Sequence, residues 1–501
     1  MSDEPSRIPV IVGVGQLNDK PANPVEGLDS SQLMAAALRL ADDDAGGGWL
    51  KTIDSLAVVD QMSFRELNPV AASVAEQVGA TPRTVTQTPI PSGDSPILLL
   101  NEAANRIAAG ENSIVAVTGG EALRTAAARA AAAAGGAPRD MIRDSARQRQ
   151  AGLRQRYGLL TPTDVYPLYE NACRAAWGQT LAEAQQESGQ IWSRFSEVAE
   201  NNPGAWIRKR IEPNEIIEPS AGNRPIAFPY NKLMVANSSV NQGAGFLVTS
   251  LAEARRRGVP EQQLVYVGRG AAAQESEDPL LRDSFSQSAG MTTSIRKTLE
   301  LNGLAAGDID CVELYSCFPC VPKMARRVLG WPVERPATVV GGLTFGGGPI
   351  GNYMSHAVVS MVLKLREGGD KGLLFGNGGF ATHNHSIVLS RSPMPPDTFP
   401  HAYDFQHEAD ALRGPTPKLL DDYRGPGTIE TYSVIYDRSG APRLAVILGR
   451  APDGSRFLAR VPGEDEPSIT FLTSGETEPV GSAGEAVDGD DTLAFWRRQR
   501  A

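Results

Sequence analysis

The sequence has few cysteines, few aromatic residues and no excess of positive charge. Four cysteines in 501 residues are too few for a disulfide framework and suit a reducing, cytoplasmic compartment. Lysine and arginine number 48 against 58 aspartate and glutamate, a net charge of −10, which disfavours a nucleic-acid partner. No apolar run approaches the roughly 18 residues that a membrane span needs. The start, Met1–Pro9, lacks the basic and apolar regions of an export signal. We therefore expect a cytoplasmic protein with no membrane contact.

The first part of the chain alternates between strand and helix patterns. Strand-like runs lie at Val10–Gly15, Ile53–Val59 and Ser113–Val117, with an amphipathic helix predicted over Ser31–Asp42. A further helix, Ile97–Ala109, is apolar on nearly all faces, which is typical of a helix buried between layers. This alternation predicts an α/β fold with a mainly parallel sheet and helices on both faces.

Composition divides the chain into four parts. We predict an N-terminal α/β half over 1–125 and 226–270, an inserted lobe over 126–225, and a second α/β half over 271–395. The lobe carries helical patterns at Tyr166–Trp177 and Leu181–Glu200, and Leu247–Arg256 is predicted as helix.

The fourth part, 396–501, has the spacing of a small β-domain. Strands are predicted at Ile429–Tyr436, Leu444–Leu448, Phe457–Val461 and Ile469–Leu472, with turn residues between them. The acidic, glycine-rich stretch Gly475–Asp491 is predicted to be a mobile tail. Aromatic residues and arginines are interleaved in these strands, a pattern with which small barrels bind nucleic acids. Packing of these side chains against the rest of the protein is the simpler explanation of the pattern.

Three glycine-rich or helix-start segments are candidates for ligand contact. They are Gly341–Gly351, Gly376–Gly379 and Ser92–Pro96. Glycine lets the backbone approach a ligand, but it equally allows tight packing between elements. The first segment is neither a phosphate loop nor a dinucleotide fingerprint, because the required spacing is missing. A fourth candidate, Tyr315–Phe318, places a phenol and a thiol after a predicted strand, where α/β proteins bind ligands.

Five segments in this order resemble the motifs of the thiolase superfamily. The chain is most similar to sterol-carrier-protein-type thiolases and to the thiolase-like protein type 1 group, which carries an additional C-terminal domain. The segments that carry the resemblance are Gly93–Gly110, Asn237–Ala244, Tyr315–Phe318, Gly347–Gly351 and Gly376–Gly379.

The resemblance implies a duplicated thiolase fold. Two α/β halves would be layered α-β-α-β-α, with the inserted loop lobe and a C-terminal OB-like barrel or sandwich. It also implies coenzyme A or an acyl-CoA thioester as substrate or ligand, no further cofactor, and a role in lipid metabolism. No metal is expected, because Cys317 and Cys320 form the only Cys-x-x-Cys pair in the sequence and no second pair or histidine follows at zinc-finger spacing. Thiolases are dimers or tetramers, and both a homodimer and a monomer stay open for this chain.

The same comparison shows that the thiolase catalytic residues are replaced. The nucleophile position falls on Gly93, or on Ile90 with a different gap, and Gly348 and Tyr315 stand where histidines are expected. Cys317 survives, and His356 lies about two turns along the next helix. Ordinary acyl transfer needs an activated thiol at the helix start, so we expect weak or absent thiolase activity.

Three functions follow as hypotheses. An acetyl-CoA acetyltransferase-like enzyme with altered chemistry would use Tyr315, Cys317 and His356 as catalytic groups. A retro-aldol enzyme would use Tyr315 as the base on a β-hydroxyacyl-CoA. A carrier or sensor would bind the thioester without chemistry. In each, the residues expected to contact substrate are Gly93, Ser238, Phe318, Gly347, Gly348, Asn377 and Gly378. The alternatives are simple packing for Tyr315 and His356, and helix capping for Ser92 and Ser95.

Overall fold

The computed structural model describes residues 4–135, 152–395, 398–489 and 492–499. The helices of these residues are α1 Ser30–Asp44, α2 Val70–Gln77, α3 Ser95–Ala108, α4 Leu123–Ala134, α5 Leu153–Arg156, α6 Pro162–Ala176, α7 Leu181–Asn201, α8 Pro213–Ile217, α9 Leu251–Arg256, α10 Ala289–Leu301, α11 Cys320–Leu329, α12 Tyr353–Glu367, α13 Gln406–Leu412 and α14 Glu466–Thr473. The strands are β1 Pro9–Asn18, β2 Ser55–Val58, β3 Thr84–Gln87, β4 Ile114–Ala122, β5 Pro225–Phe228, β6 Tyr230–Asn231, β7 Asn241–Ser250, β8 Val265–Gln274, β9 Cys311–Leu314, β10 Lys371–Gly378, β11 His383–Ser390, β12 Gly425–Tyr436, β13 Pro442–Arg450, β14 Arg456–Pro462, β15 Ala483–Asp488 and β16 Ala494–Arg498. No helix among these residues is long and apolar enough to cross a membrane.

Nine of the described strands form one sheet in the order β3-β2-β4-β7-β1-β8-β11-β10-β9. In this order the strands up to β1 come from the predicted first half and β11, β10 and β9 from the predicted second half, while β8 spans the predicted boundary between residues 270 and 271. The halves join where Val10 pairs with Tyr266 and Ile11 with Val265. The sheet is mixed, but the prediction of a mainly parallel arrangement is confirmed for the first half: β2 is parallel to β3 and β4, and β7 is antiparallel to both β1 and β4, so β1, β2, β3 and β4 run in one direction and β7 runs in the other. The antiparallel direction of β7 was not predicted. Burial on both faces produced the apolar runs, and such burial is independent of strand direction.

The helices form the central and outer layers that the α-β-α-β-α arrangement requires. Helices α3 and α12 lie between the two halves, since each packs against strands of the first half and against β10 and β11 of the second. Helix α1 covers the outer face of β1 and β7, and α10 covers β8 and β11. The apolar character of α3 on nearly all faces follows from this central position.

The C-terminal region contains a small closed β-barrel. Strand β12 pairs with β13 and with β15, and the circuit closes through β14 and β16. The predicted β-domain is therefore confirmed as a five-stranded barrel. Its core includes Tyr432, Phe457 and Trp496. Strand β12 also pairs with β5, at the end of the predicted inserted lobe, so the barrel sheet continues into the body of the protein.

Three local predictions are wrong. Ile469–Leu472 is helical within α14, because the Asp465 side chain accepts from the Ser468 amide 3.2 Å away and a proline occupies the first turn. The predicted helix Leu247–Arg256 is strand up to Ser250, whose side chain caps the short helix α9. Within the predicted mobile tail, Ala483–Asp488 is a barrel strand with Ala486 buried, while residues 490–491 lie outside the described residues.

Candidate functional site

The start of helix α3, where a thiolase-like nucleophile would stand, is occupied by a tyrosine. A Cβ atom built on Gly93 would lie 2.2 Å from the carbonyl oxygen of Asn377 and 2.4 Å from the Tyr315 hydroxyl oxygen. Non-bonded heavy atoms attract at about 3.5–4.0 Å. Any side chain at position 93 would therefore collide with Tyr315 and the β10 backbone.

The glycines of the other two segments pack against the same loop. A Cβ on Gly351 would lie 2.8 Å from the Pro91 backbone, and one on Gly378 would lie 2.0 Å from the Ser92 hydroxyl oxygen. Gly376 approaches the Asp94 Cα atom in the same way, at 3.1 Å. The three glycine-rich or helix-start segments predicted from the sequence thus meet at one point, and close packing requires their glycines. Ser92 donates a hydrogen bond to the Asp94 carboxylate, and Ser95 accepts one from the Ser92 amide at 3.2 Å.

Tyr315 is held rigidly at this point. Its amide donates to the Phe375 carbonyl at 3.1 Å, and its ring meets that of Tyr353 edge to face with centroids 5.7 Å apart. Burial, together with the neighbouring Cys317 and Asp94, raises the pKa of the phenol well above its ordinary value. The phenol is therefore protonated at neutral pH, which suits a hydrogen-bond donor better than a general base.

Cys317 is a buried thiol rather than an activated one. Burial raises its pKa to about 12. Its neighbour is the hydroxyl of Tyr166 from helix α6, which itself accepts from the Ala381 amide at 2.9 Å. The Tyr166 ring stacks on Phe318 with centroids 4.4 Å apart. The predicted residues Cys317 and Phe318 are thus covered by the inserted lobe, and no pattern in the sequence indicated Tyr166.

A second group of predicted residues is joined to the Cys317 backbone by hydrogen bonds. The Ala236 amide donates to the Cys317 carbonyl at 3.1 Å, and the Gly348 amide donates to the Asn237 carbonyl at 2.8 Å. The loop that contains half-buried Ser238 therefore runs beside Gly347 and Gly348. A Cβ on Gly347 would lie 2.2 Å from Gln242 Oε1.

His356 lies apart from these residues in its hydrogen bonding. Within the described ranges its partner is Gln16, whose Oε1 is 2.9 Å from His356 Nδ1, and its Nε2 has no partner. Burial lowers the pKa of the imidazole to about 3. The ring is thus neutral at physiological pH and is positioned by β1 rather than by Tyr315 or Cys317.

One titratable group that the sequence did not indicate lies behind Tyr315. Glu313, near the end of β9, accepts from Tyr353 Oη and Thr338 Oγ1, each at 2.8 Å, and from the Val339 amide. Burial raises its pKa to about 7. These bonds connect Glu313 to the tyrosine that supports Tyr315, so the carboxyl positions the aromatic pair.

Comparisons with known proteins agree with this architecture. The family model described as "Thiolase-like protein type 1 additional C-terminal domain" matches residues 404–492. A solved structure, the monomeric SCP2-thiolase like protein type 1 from Mycobacterium smegmatis, is 30% identical and covers 100% of both chains, with a TM-score of 0.83. The chain belongs to the thiolase-like protein type 1 family. A search of curated proteins finds no match.

Two more distant structures share the fold of this thiolase-like protein. The Ltp2-ChsH2(DUF35) aldolase is 18% identical with a TM-score of 0.58, over 78% of this chain and 99% of that one. The human mitochondrial 3-ketoacyl-CoA thiolase in complex with CoA is 14% identical with a TM-score of 0.58, over 77% of this chain and 99% of that one. At these identities the likeness is one of fold.

The barrel of this thiolase-like protein buries several of the residues that suggested nucleic-acid contact. Tyr432 and Phe457 lie in its core, and Arg456 is fully buried, with an ion pair to Glu430 at 2.6 Å. These three side chains therefore pack inside the protein and are not exposed for contact with a nucleic acid.

Proposed function

We propose that this protein binds a coenzyme A thioester and does not transfer its acyl group by a covalent enzyme intermediate. The observation that carries the proposal is the position of Tyr315, whose hydroxyl oxygen would be 2.4 Å from a Cβ at Gly93. The nucleophile position is thus a glycine, which has no reactive group, and the Tyr315 side chain occupies the space that a nucleophilic side chain would need. Acyl transfer through a thioester intermediate needs a nucleophile with an adjacent base.

The protonation states of the neighbouring groups support the same proposal. The thiol of Cys317 has a pKa of about 12 and the imidazole of His356 one of about 3, both through burial. A general acid or base works best when its pKa lies near the operating pH. Neither group meets that condition in the free protein.

The ligand class rests on the fold and on the loop around Ser238. This loop runs beside Gly347 and Gly348, and it resembles the thiolase loop that faces the pantetheine arm of coenzyme A. A thiolase that shares the fold is described in complex with CoA. We extend that ligand class to this chain, together with the monomeric state described for the Mycobacterium smegmatis relative.

The test is calorimetric titration of the full chain with CoA and with acetyl-, octanoyl- and steroid-like acyl-CoAs, followed by mass spectrometry of each mixture. We expect saturable binding without acyl exchange. Ser238→Phe should weaken binding, whereas Ser239→Phe should not, because Ser239 is exposed and its neighbour is half-buried. Absence of binding by every CoA compound, or acyl exchange between them, would refute the proposal.

Retro-aldol cleavage of a β-hydroxyacyl-CoA is the second candidate, since it needs no covalent acyl intermediate. The observation that favours it is the Tyr315 hydroxyl at the start of helix α3, where a nucleophile would meet substrate. The phenol is protonated in the free protein, so substrate would have to lower its pKa for it to accept the β-hydroxyl proton. Release of a carbonyl product and a shortened acyl-CoA, abolished by Tyr315→Phe, would establish this reaction and displace the binding-only proposal.

A further inference from the structure

A cavity of about 670 Å³ lies between the thiolase body and the C-terminal region. The body contributes Asp94 from the start of α3, the end of β8 and His385 of β11. The C-terminal region contributes Tyr403, Gln406 and further polar side chains. Ligand pockets in proteins are commonly about 300–1,000 Å³, so the cavity has the size of a small-metabolite site. Tyr315, Cys317 and Ser238 do not line it, although Asp94, a neighbour of Tyr315, does.

The cavity wall holds a buried arginine, Arg282, that has no counter-ion among the described residues. Arg282 is 3% exposed, and its Nη2 donates to Thr382 Oγ1 at 3.1 Å and more weakly to the Ser276 carbonyl. Its guanidinium lies over the Tyr169 ring, 5.3 Å from the centroid. Among the residues that the structure describes, it forms no ion pair, and its Nε–H has no partner. A buried charge without a counter-charge is costly, and an anionic ligand would offset that cost.

Two further groups of the wall have unused hydrogen-bonding atoms. Arg413 pairs with Glu275 at 3.1 Å and with Asp410, yet its Nε–H has no partner within the described ranges. His385 is buried and stacks on Tyr403 with centroids 5.3 Å apart, and its Nε2 is also without a partner there. Buried polar atoms in folded proteins are nearly always bonded, so the Nε–H groups of Arg282 and Arg413, unpaired within those ranges, indicate a bound polar molecule. His385 Nε2 does not add to this, because it lies on the side of Gly270, 3.3 Å from a Cβ built there, and Gly270 does not line the cavity.

The C-terminal barrel fixes the loop that carries Arg282. Arg456 of β14 is fully buried and donates to the carbonyl of Leu280 at 3.0 Å and to that of Asp283 at 3.4 Å. It also donates to the carbonyl of Arg282 itself. Glu430 neutralises Arg456 at 2.6 Å, so the Arg456 charge is unavailable to a ligand. The barrel thus orients Arg282 without competing for what it binds.

The charges of the wall select among anions. Three carboxylates, those of Asp94, Glu275 and Asp404, line the cavity together with the two arginines. Glu275 is taken by Arg413 and by Ser288, while Asp94 and Asp404 remain to repel excess negative charge. A dianionic phosphate carries two negative charges that these carboxylates would repel, whereas a carboxylate carries one and can accept two hydrogen bonds from a guanidinium.

We propose that this cavity binds a small monocarboxylate that also carries hydroxyl or amino groups. The carboxylate pairs with Arg282, and the hydroxyl or amino groups face Asp94 and Asp404. The C-terminal domain then has a defined role, because it supplies one wall and holds the arginine loop. This site adjoins the proposed CoA site through Asp94, but its arginine and its ligand are different, so its test needs no CoA compound.

The experiment is calorimetric titration of the full chain with glycine, D-glycerate and D-gluconate, and with inorganic phosphate and glycerol as probes that lack the carboxylate. We expect at least one monocarboxylate to bind saturably and the other two probes not to bind. Arg282→Gln should weaken that binding by at least about tenfold, the effect of losing a charged hydrogen bond. Arg83→Gln is the control, because Arg83 is 70% exposed and remote from the wall.

Two further measurements cover the case in which Arg282→Gln does not fold. Leu281→Trp places bulk at a cavity residue that is 45% exposed, so the variant should fold and should lose binding. Without ligand, a folded Arg282→Gln protein should melt no lower than wild type, because an uncompensated charge is removed. Phosphate binding in preference to the monocarboxylates, no binding of any monocarboxylate, or equal binding by Leu281→Trp would overturn the proposal.

Discussion

Replacing Gly93 with alanine tests whether Tyr315 really fills the nucleophile position. The added methyl group would lie 2.2 Å from the Asn377 carbonyl oxygen, 2.4 Å from Tyr315 Oη and 2.6 Å from Tyr315 Cζ. The carbonyl belongs to strand β10 and cannot rotate away, so the clash requires a backbone shift. Overpacking a core costs about 1–3 kcal/mol, and we expect Gly93→Ala to lie at the upper end, near about 3 kcal/mol.

Differential scanning calorimetry measures this cost. An unfolding entropy of about 2.1 cal/mol/K per residue converts about 3 kcal/mol into a melting temperature about 3 °C lower for a chain of 501 residues. The shift is larger if the body unfolds as a smaller unit. Gly307→Ala is the matched control, because a Cβ there meets nothing within 4 Å, and its effect should stay within about 0.5 kcal/mol.

A double variant separates the two contacts. Tyr315→Ala removes the ring and leaves the Asn377 carbonyl, so the combined variant should be less destabilised than the sum of the two single variants by about 1–2 kcal/mol. If Gly93→Ala melts with wild type, or if the two substitutions are additive, the argument that Tyr315 occupies the nucleophile position is refuted.

Three other predictions concern buried ionisable groups. The pKa of His356 is about 3 in the folded protein against about 6.5 in the unfolded chain. The unfolded chain therefore takes up a proton below pH 6.5 that the folded protein does not, which lowers the free energy of unfolding by roughly 2 kcal/mol at pH 5 relative to its value above pH 6.5. His356→Gln should therefore show a shallower fall of melting temperature between pH 7.5 and 5, and parallel curves would contradict this. Because burial raises the pKa of Cys317 to about 12, iodoacetamide at pH 8 should leave it unmodified in the native protein and alkylate it in urea, as mass spectrometry would show; alkylation of the native protein at the same rate would contradict this. Lys323→Met leaves Glu170 buried without its partner at 2.5 Å and should cost about 3–5 kcal/mol, whereas adding Glu170→Leu should restore most of the melting temperature; no recovery would show that the charge is not the cause.

Much of the architecture follows from local sequence pattern. The uniform apolarity of Ile97–Ala109 correctly predicts a buried central helix, since only such a helix hides every face. The turn spacing after residue 425 correctly predicts the barrel strands. The alternation of strands and helices correctly predicts the parallel strands β1 to β4, whereas the antiparallel direction of β7 could not be predicted, because a buried strand is apolar whichever way it runs. The short run Ile469–Leu472 has no periodicity of its own, and its capping by Asp465 decided for helix.

The candidate site was predictable as a set of segments and not as an arrangement. Motif order placed Gly93, Tyr315 and Asn377 together, and the structure brings these three into contact. Local sequence pattern does not show which side chain occupies the volume beside Gly93. The Tyr315 ring fills that volume only because β9 and β10 bring the two residues together. The same holds for Arg282, which is an ordinary polar residue in the sequence and a charge without a counter-ion only within the described cavity wall.

The pairing of β5 with β12 has a consequence for how the protein is made. Strand β5 lies about 200 residues before its partner β12 in the chain and therefore leaves the ribosome long before it. Until β12 arrives, the Ala227–Phe228 edge has unpaired backbone groups that another chain can capture. We therefore expect nascent chains that stall before the barrel to aggregate through this edge, and the barrel, which is synthesised later, to protect the edge once β12 pairs with β5.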